Sequence, residues 1–357
     1  MGEPLLPVQT KVAALRDPAA YPEATAAVSV IETHMSWVFL TEQHAYKLKK
    51  PVRYEYLDFS TLAARRRFCE EELRLNRRLA ESVYLGVLPL ATDATGRLII
   101  DGDGEVVDWL VRMRRLPADR MLDRALLDGT ATAADAERSA ARIAAFHHAL
   151  PPAPVTAHAY RRRLAAGILE NERALCDPAF GLPDGDVRAI CHAQHDMLEW
   201  GAGHFDRRVH EGRIVEGHGD LRPEHVCLEP GIPVIDCLEF SAMLRTLDTI
   251  DEIAFLALEC ERLGRADFAD ALLSAYVHDR HERGCEPLVH FYQSYRALVR
   301  AKMAAWHLRE RAYRQSPKWT IMARHYLRLA GHHIERCRDG WRAGHQVSSS
   351  AAIDSPE

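Results

Sequence analysis

Residues 214–240 read IVEGHGDLRPEHVCLEPGIPVIDCLEF and carry the most specific pattern in the chain. Two short apolar runs, Val226–Leu228 and Pro233–Ile235, flank a Glu-Pro-Gly turn, and this arrangement predicts a hairpin. The hairpin brings Asp220, just before its first strand, near Asp236, just after its second. Two carboxylates at the open end of a hairpin suit the binding of a hard cation and the acceptance of a proton. The same pair also suits loop acids that only cap turns or helices.

The first third of the chain predicts an antiparallel sheet with one long helix. A short helix is expected around Thr10–Leu15, and the long one over Thr61–Glu81, where the preceding Asp58-Phe59-Ser60 offers a cap. The strand-like runs are Ser36–Thr41, Gln43–Lys49, Gly86–Ala91, Arg97–Asp101 and Val106–Met113.

After Pro117 the pattern becomes helical, because apolar residues recur at the 3.6-residue period. The predicted helices are Ala133–Leu150, Ala159–Leu175, Asp186–Arg208, Asp248–Leu263, Arg265–Arg283, Glu286–Arg311 and Lys318–Cys337. The β-like island of this half is Ile214–Phe240. The sequence therefore predicts an α+β protein, with a small β-rich part over residues 1–114 and a larger helical part over residues 115–345. The small, polar residues 346–357 predict a disordered tail.

The motif H-G-D-x-x-x-x-H, followed by the hairpin and an apolar-Asp pair, resembles the catalytic core of the aminoglycoside phosphotransferase and choline kinase-like families. Other segments resemble an uncharacterised bacterial branch of that superfamily: THMSWVFL (33–40), AYKLKKPV (45–52), LDFSTL (57–62), CEEELRLNRRL (69–79) and YLGVLPL (84–90). The resemblance covers most of the chain. It implies a bilobal protein-kinase-like fold, with a small antiparallel β-rich N-lobe and a larger, mainly helical C-lobe.

The resemblance also assigns roles around the hairpin. Asp220 matches the catalytic Asp that orients the acceptor hydroxyl and receives its proton, and Asp236 matches the Asp that binds the Mg²⁺ bridging the nucleotide phosphates. His218 is expected to hold the catalytic loop by hydrogen bonds, and Asp251 matches an Asp that packs behind that loop as a structural hydrogen-bond acceptor. The superfamily has Asn, a neutral oxygen ligand, where this chain has His225. Imidazole binds softer divalent metals such as Mn²⁺ better than Mg²⁺, so His225 either weakens a second metal position or hydrogen-bonds to Asp220.

Lysine is scarce in this chain: six of the 46 basic residues are Lys, and three of the six, Lys47, Lys49 and Lys50, lie within four positions. In the resembled fold, a strand lysine neutralises the nucleotide phosphates and is held by a Glu of the N-lobe helix. Lys47 is the predicted phosphate-binding residue, Lys49 on the same strand face is the second candidate, and Lys50 is expected to face solvent. Glu72 is the predicted partner, with Glu71 as a near alternative.

Two more segments would contact the nucleotide if the resemblance holds. Val111–Pro117 fits the hinge whose backbone binds the adenine edge, so Met113 and Arg115 are predicted cofactor-binding residues. Glu32–Ser36 stands where protein kinases carry a Gly-rich loop, but it contains no Gly. The phosphate-binding motifs G-x-x-x-x-G-K-[ST] and G-x-G-x-x-G do not occur in the sequence.

Helix Glu286–Arg311 is the candidate for substrate recognition. Its cationic and aromatic residues at helical spacing are Tyr292, Arg296, Arg300 and His307. This stripe predicts either a face for an anionic or polyhydroxylated substrate or a solvated helix side with internal salt bridges. An aminocyclitol site would be rich in Asp and Glu, and this helix is not, which argues against an antibiotic as the natural acceptor.

The composition argues against two classes of partner. The net charge is −5 and the pI is near 6.4, whereas proteins that bind nucleic acid or anionic membranes usually have a basic excess. Eight scattered cysteines without a C-x-x-C motif predict reduced core thiols, which fits a cytoplasmic protein. The N-terminus lacks the pattern of a signal peptide, and no apolar run approaches the roughly 18 residues of a membrane span.

The leading expectation is a kinase that uses ATP with Mg²⁺, or with Mn²⁺, to phosphorylate a hydroxyl of a small molecule such as a sugar, an amino sugar or an amino alcohol. Two alternatives stay open. One is a nucleotide-binding regulatory protein with little catalysis, and the other is an enzyme of the same fold that modifies a protein.

Overall fold

The computed structural model describes residues 6–54, 57–282, 284–309 and 316–351. Its strands are β1 (Ser29–Glu32), β2 (Ser36–Leu40), β3 (His44–Lys49), β4 (Arg53–Tyr54), β5 (Leu57–Asp58), β6 (Tyr84–Thr92), β7 (Leu98–Ile100), β8 (Val106–Arg114), β9 (Ile214–Glu216) and β10 (Thr246–Asp248). Its helices are α1 (Val8–Ala14), α2 (Leu62–Ala80), α3 (Leu122–Leu127), α4 (Ala133–Ala149), α5 (Ala157–Leu175), α6 (Asp184–Trp200), α7 (Ala202–His210), α8 (Ala242–Arg245), α9 (Thr249–Arg262), α10 (Ala266–Arg280), α11 (Glu286–His307) and α12 (Pro317–Ala351). The predicted α+β class is confirmed.

Six strands form one antiparallel sheet in the order β1-β2-β3-β8-β6-β7. The five strands predicted between Ser36 and Met113 are all present, and β1, which the sequence analysis missed, pairs with β2 at the sheet edge. Side chains alternate along β3, so Tyr46 and Leu48 enter the core shared with Val12 of α1. Ala45 enters the opposite core, which α2 covers. The alternate residues 47 and 49 therefore fall on the α2 side of the sheet.

Helix α2 begins where Thr61 caps it: the Thr61 hydroxyl accepts a hydrogen bond from the Ala64 N–H at 3.1 Å. The predicted capping segment Asp58-Phe59-Ser60 ends one residue before the cap at Thr61, and Asp58 accepts hydrogen bonds from Ser60 instead.

A buried ion network holds the first turn of α2 against the sheet. Arg65 pairs with Asp108 of β8 at 2.7 Å, and Lys11 of α1 pairs with the other oxygen of Asp108 at 2.7 Å. All three side chains are at most 3% exposed. The network joins α1, β8 and α2 within the sheet region.

Most helices predicted after Pro117 form close to their expected bounds, but α12 runs fourteen residues beyond its predicted end at Cys337 and another predicted helix is divided. The predicted ends at residues 283 and 311 lie outside the described residues. The helix predicted over residues 186–208 is two helices, α6 and α7, which meet at Gly201. A Cβ at Gly201 would lie 2.2 Å from the ring of Trp341 on α12, so only glycine permits this close approach.

The described chain divides into two compact units. The first contains the residues up to 125 together with 218–220 and 224–245, and the second contains 126–217, 221–223 and the residues from 246 onward. The hairpin, which the sequence analysis placed in the helical part 115–345, belongs to the first unit because its backbone bonds there: the Leu228 N–H donates to the Arg120 carbonyl at 2.7 Å. The predicted boundary at residue 114 remains a prediction.

The predicted hairpin exists in a reduced form. Val226 and Val234 make an isolated antiparallel bridge, and the Ile235 N–H donates to the His225 carbonyl at 2.9 Å. Strand β9, which lies inside the predicted β-like island, pairs instead with β10. The predicted island is therefore one strand that pairs outside it, followed by a hairpin with a single bridge.

All eight cysteines lie in the described part of the chain and are free thiols, and seven of them are buried. The prediction of reduced core thiols is thus confirmed. The tail predicted over 346–357 differs at its start, because α12 continues to Ala351 and no proline precedes that point to end it; residues 352–357 lie outside the described residues. Among the helices described, none combines the length and apolarity needed to cross a membrane.

Candidate active site

Lys47 lies at the centre of an ion cluster in the first compact unit. Its ammonium group donates to Glu72 Oε1 at 2.8 Å and to Asp236 Oδ1 at 2.6 Å. The three residues come from β3, from α2 and from the end of the hairpin, so three segments far apart in the chain converge. The Glu72 side chain is fully buried, that of Lys47 is 13% exposed and that of Asp236 is 44% exposed. The predicted Lys47–Glu72 ion pair is confirmed, and Asp236 is the solvent-facing end of the cluster.

Lys49 closes the inner end of the same cluster. Its ammonium group donates to Glu72 Oε2 at 2.5 Å and also to Glu239. Its side chain has no exposed surface, and the face of the Phe59 ring lies 5.0 Å from the ammonium nitrogen. Burial thus separates Lys49 from Lys47, whose side chain keeps 13% exposure, and a nucleotide contact of either lysine remains a prediction.

The charges of the cluster stabilise one another. Burial alone lowers the pKa of Lys47, but the carboxylates of Asp236 and Glu72 outweigh burial and raise that pKa well above its usual value. Burial likewise lowers the pKa of Lys49, and Glu239 and Glu72 raise it above the usual range. Burial raises the pKa of Glu72, but Lys47 and Lys49 lower it by more, so the net effect is a decrease. Lys47, Lys49 and Glu72 are therefore charged near neutral pH.

Asp236 adopts a left-handed backbone conformation, with φ of +63°, which Asp tolerates better than most residues other than Gly. Two side chains secure the turn. The Tyr84 hydroxyl accepts from the Asp236 N–H at 3.1 Å, and Asn76 Oδ1 accepts from the Cys237 N–H at 2.9 Å. Asn76 also donates to the Glu72 carbonyl at 2.8 Å, so α2 holds both the glutamate and the backbone beside the aspartate.

The backbone around Asp220 is held by His218. The Asp220 N–H donates to His218 Nδ1 at 3.3 Å, and His218 Nε2 lies 2.8 Å from the Ile235 carbonyl. This pair of contacts assigns the ring proton to Nε2, so His218 is a neutral structural link between loop and hairpin, as we expected. Gly219 has φ of +87°, and a Cβ there would lie 2.8 Å from Arg245 Cβ, so glycine is required before Asp220.

His225 lies between the two predicted functional carboxylates. Its Nδ1 is 2.8 Å from the Asp220 carbonyl oxygen and 3.9 Å from Asp220 Oδ2, and its Nε2 is 3.5 Å from Asp236 Oδ2. A carbonyl oxygen only accepts, so Nδ1 carries a proton. The hydrogen bond that we predicted to Asp220 therefore forms with the backbone carbonyl of that residue, and Nε2 faces the side of the predicted metal ligand Asp236.

The residues present fit a metal ion shared with a nucleotide. Across the residues that the structure describes, no group of three or more His, Cys, Asp or Glu is arranged so that it could hold a metal ion. Mg²⁺ at nucleotide sites is usually held by one or two carboxylates together with substrate phosphates and waters. The half-exposed carboxylate of Asp236 could supply one such oxygen ligand, and His225 Nε2 lies 3.5 Å from Asp236 Oδ2.

Known proteins that resemble this chain support the fold. No protein-family model matches it. An uncharacterized protein of Mycobacterium tuberculosis and one of Mycobacterium bovis are each 35% identical over 279 residues, which is 77% of this chain and 54% of theirs. The chain thus spans about half the length of the curated relatives it matches. A solved structure of a choline/ethanolamine kinase family protein of Mesorhizobium loti superposes with a TM-score of 0.51 at 16% identity, over 93% of this chain and 94% of that one. This chain has the protein-kinase-like fold.

The predicted hinge of the protein-kinase-like fold is partly engaged in the sheet. Met113 is buried and pairs with Ala45 of β3. The Arg114 N–H donates to the Val83 carbonyl and the Arg115 N–H to the Gln43 carbonyl, each at 2.8 Å. The backbone N–H groups of Arg114 and Arg115 therefore already donate hydrogen bonds within the protein. Adenine binding at Met113 and Arg115 remains a prediction.

The neighbouring candidates have other partners. Glu71, the alternative to Glu72, pairs with Arg74 at 2.7 Å and with Arg245 at 3.0 Å. Lys50, which we expected to face solvent, is half-buried and donates to Glu32 at 2.6 Å and to the Thr33 carbonyl at 2.7 Å. Lys50 thus anchors the Gly-free segment Glu32–Ser36 at the start of β2.

The stripe on α11 consists of side chains with partners inside the second unit. Tyr292 is fully buried and donates to Asp248, and Arg296 pairs with Asp251 through two hydrogen bonds of 2.6 and 2.7 Å. Arg300 pairs with Glu259 at 3.2 Å. The described contacts favour the prediction of internal salt bridges over that of a substrate-binding face. The stripe differs from that prediction in being largely buried and not solvated. The expected structural role of Asp251 as an acceptor is confirmed.

Sequence reasoning missed Glu239. It lies three residues after Asp236, within residues 214–240. Nothing in its apolar sequence neighbours distinguishes it from an ordinary acidic loop residue. The available signal was the second lysine: a Lys beside Lys47 on one strand face requires a second carboxylate if both are buried.

Proposed function

We propose that this protein is an ATP-dependent phosphotransferase that transfers the γ-phosphate to a hydroxyl of a small molecule. The observation that carries the proposal is the contact of the Lys47 ammonium with both Glu72 and Asp236 in the first unit. A lysine held by a buried glutamate, beside an exposed aspartate, is the arrangement with which kinases position nucleotide phosphates and their metal ion. The protein-kinase-like fold and the Mesorhizobium loti relative in structure support it.

Lys47 would bind the phosphates. Its charge is secured by two carboxylates, and its ammonium group retains some exposure. When a nucleotide arrives, Lys47 exchanges its contact with Asp236 for one with phosphate, while Glu72 keeps the side chain extended. Catalysis then depends mainly on positioning and on neutralisation of phosphate charge.

Asp220 would receive the proton of the acceptor. The acceptor oxygen forms a bond to the γ-phosphorus, the bond from that phosphorus to the bridging oxygen of ATP breaks, and ADP leaves with the electron pair. The hydroxyl proton passes to the Asp220 carboxylate, which orients the attacking oxygen. His218 holds the backbone at Asp220 and takes no proton in this scheme.

Asp236, with His225 beside it, would hold a divalent cation, Mg²⁺ or Mn²⁺. The cation supplies charge neutralisation between the nucleotide phosphates when it is bound. The imidazole of His225 favours the softer of the two metals, since nitrogen is a poorer ligand than oxygen for Mg²⁺.

To identify the class of acceptor, the protein is assayed with a panel of sugars, amino sugars and amino alcohols. The amino alcohols enter it because the structural relative belongs to a choline/ethanolamine kinase family. The measurement is ADP release with Mg²⁺ and with Mn²⁺, and the phosphorylated product is identified by mass spectrometry.

The test uses two variants and a matched control. Asp220→Asn should abolish turnover and keep ADP binding, because it removes only the proton acceptor. Asp236→Asn should abolish metal-dependent ADP binding. Asp93→Asn changes an aspartate in the turn between β6 and β7 of the same unit and should leave both properties at the wild-type level.

Three results would redirect the proposal. Full activity of purified Asp220→Asn refutes the mechanism. Tight ADP binding without turnover on any acceptor favours a nucleotide-binding regulator. Phosphate or nucleotide found on a protein, and not on a small molecule, favours an enzyme that modifies proteins.

A further inference from the structure

The cluster around Lys47 contains one more cation and one more anion than a single lysine–glutamate pair requires. Lys49 and Glu239 add these two charges, and both are buried, at 0% and 9% exposure. Counted together, the two ammonium groups and the three carboxylates leave one net negative charge. Asp236 is the most exposed member of the cluster.

Lys49 is enclosed so completely that its effect on a nucleotide must be indirect. Its ammonium contacts Glu72 Oε2, Glu239 and the Phe59 ring, and each of these lies in the first unit. Glu239 in turn follows Asp236 by three residues, so the Lys49–Glu239 contact ties β3 to the segment that carries the predicted metal ligand. Side chains 190 residues apart in the chain are joined here.

Removal of Lys49 would leave Glu72 Oε2 and Glu239 with Lys47 as the nearest cation in the cluster. Buried carboxylates without compensation carry a large desolvation cost, so they would attract Lys47 inward. Lys47 would then be displaced from Asp236 and from phosphate.

We propose that Lys49 is a positioning residue of the phosphotransferase: it neutralises the buried carboxylate of Glu239 and thereby keeps the Lys47 ammonium at the outer side of Glu72, facing Asp236 and the nucleotide. This inference rests on the proposed function. It extends that function to a second lysine, which touches neither substrate nor metal.

The test compares charge-matched variants by calorimetric titration with ADP at saturating Mg²⁺. Lys49→Met makes the cluster more negative by one charge and should weaken ADP binding at least about tenfold. The double variant Lys49→Met with Glu239→Gln restores the wild-type net charge and should bind ADP within about threefold of wild type. If Lys49 had only a structural role, Lys49→Met would lower the free energy of unfolding and leave the dissociation constant of the folded variant for ADP unchanged.

Lys11→Met is the matched control. It also removes a buried lysine of the first unit from a buried carboxylate, and Asp108 keeps its second partner Arg65. This variant should lose stability but keep the wild-type dissociation constant for ADP. Phosphotransfer by all variants is measured in parallel, with circular dichroism as the check on folding.

The outcomes separate this inference from the proposed function. Wild-type protein that does not bind ADP with Mg²⁺ refutes the proposed function and the inference with it. Wild-type protein that binds ADP, with Lys49→Met binding it equally well, overturns the inference alone. If Lys49→Met does not fold, the double variant decides: folded protein that has lost more than about tenfold in ADP affinity overturns the positioning role.

Discussion

Lys49→Met should destabilise this protein much more than Lys47→Met, although the two lysines lie on one face of β3 and share the partner Glu72. The Lys49 side chain and Glu72 have no exposed surface, and Glu239 is 9% exposed. Loss of one partner from a buried ion pair costs about 3–5 kcal/mol, because the remaining charge keeps its desolvation cost. We therefore expect the free energy of unfolding to fall by about that amount in Lys49→Met.

The corresponding loss for Lys47→Met is smaller for two structural reasons. Glu72 keeps its 2.5 Å contact with Lys49, and the carboxylate of Asp236, 44% exposed, remains hydrated. A partly exposed pair contributes about 1 kcal/mol or less, so the two variants should differ by about 2–4 kcal/mol.

Urea unfolding without nucleotide, followed by tryptophan fluorescence and by circular dichroism, measures both variants against wild type. Trp37 and Trp109 report on the sheet of the first unit. Equal destabilisation by the two substitutions, or a Lys49→Met variant within about 1 kcal/mol of wild type, would refute the reasoning that burial ranks these two lysines.

Three further predictions concern the site. Glu72→Gln should reduce phosphotransfer at least about tenfold because Lys47 loses its inner anchor, while Glu71→Gln, which alters only contacts to arginines, should keep near-wild-type rates; equal rates for both would contradict the assignment. His225→Asn should shift the preference from Mn²⁺ toward Mg²⁺ several-fold, measured as the ratio of kcat/KM values, since an amide oxygen replaces an imidazole. Gly219→Ala should cost about 1–3 kcal/mol in unfolding free energy through its left-handed φ, and a stable, fully active variant would show that the loop tolerates a Cβ.

Much of the fold and part of the site were predictable because they depend on local pattern. Alternating apolar residues placed five of the six sheet strands, and a Pro-Gly turn placed the hairpin that carries Asp236. The break between α6 and α7 was missed although Gly201 marks it in the sequence, whereas the close approach of Trp341 to Gly201, 140 positions away in the chain, exists only in the folded state.

The candidate site divides in the same way. Lys47 and Glu72 were identified from the family resemblance, and the structure joins their side chains at 2.8 Å. The choice between Lys47 and Lys49 was open, because alternation places both on one face of β3 and says nothing about depth. Glu239 was missed for the same reason.

The sequence by itself determined the α+β class, the order of the elements and the chemical types gathered near the hairpin, because helix and strand periods and turn residues act over short separations. Tertiary structure alone decided that Lys47 and not Lys49 is accessible and that Glu239 completes the cluster. It also decided which side chains of α11 form internal ion pairs. Those outcomes depend on burial, and burial is set by contacts between segments up to 190 residues apart. How far a charged side chain is desolvated, and hence what role it has, depends on the packing of the whole chain and not on the residues next to it in sequence.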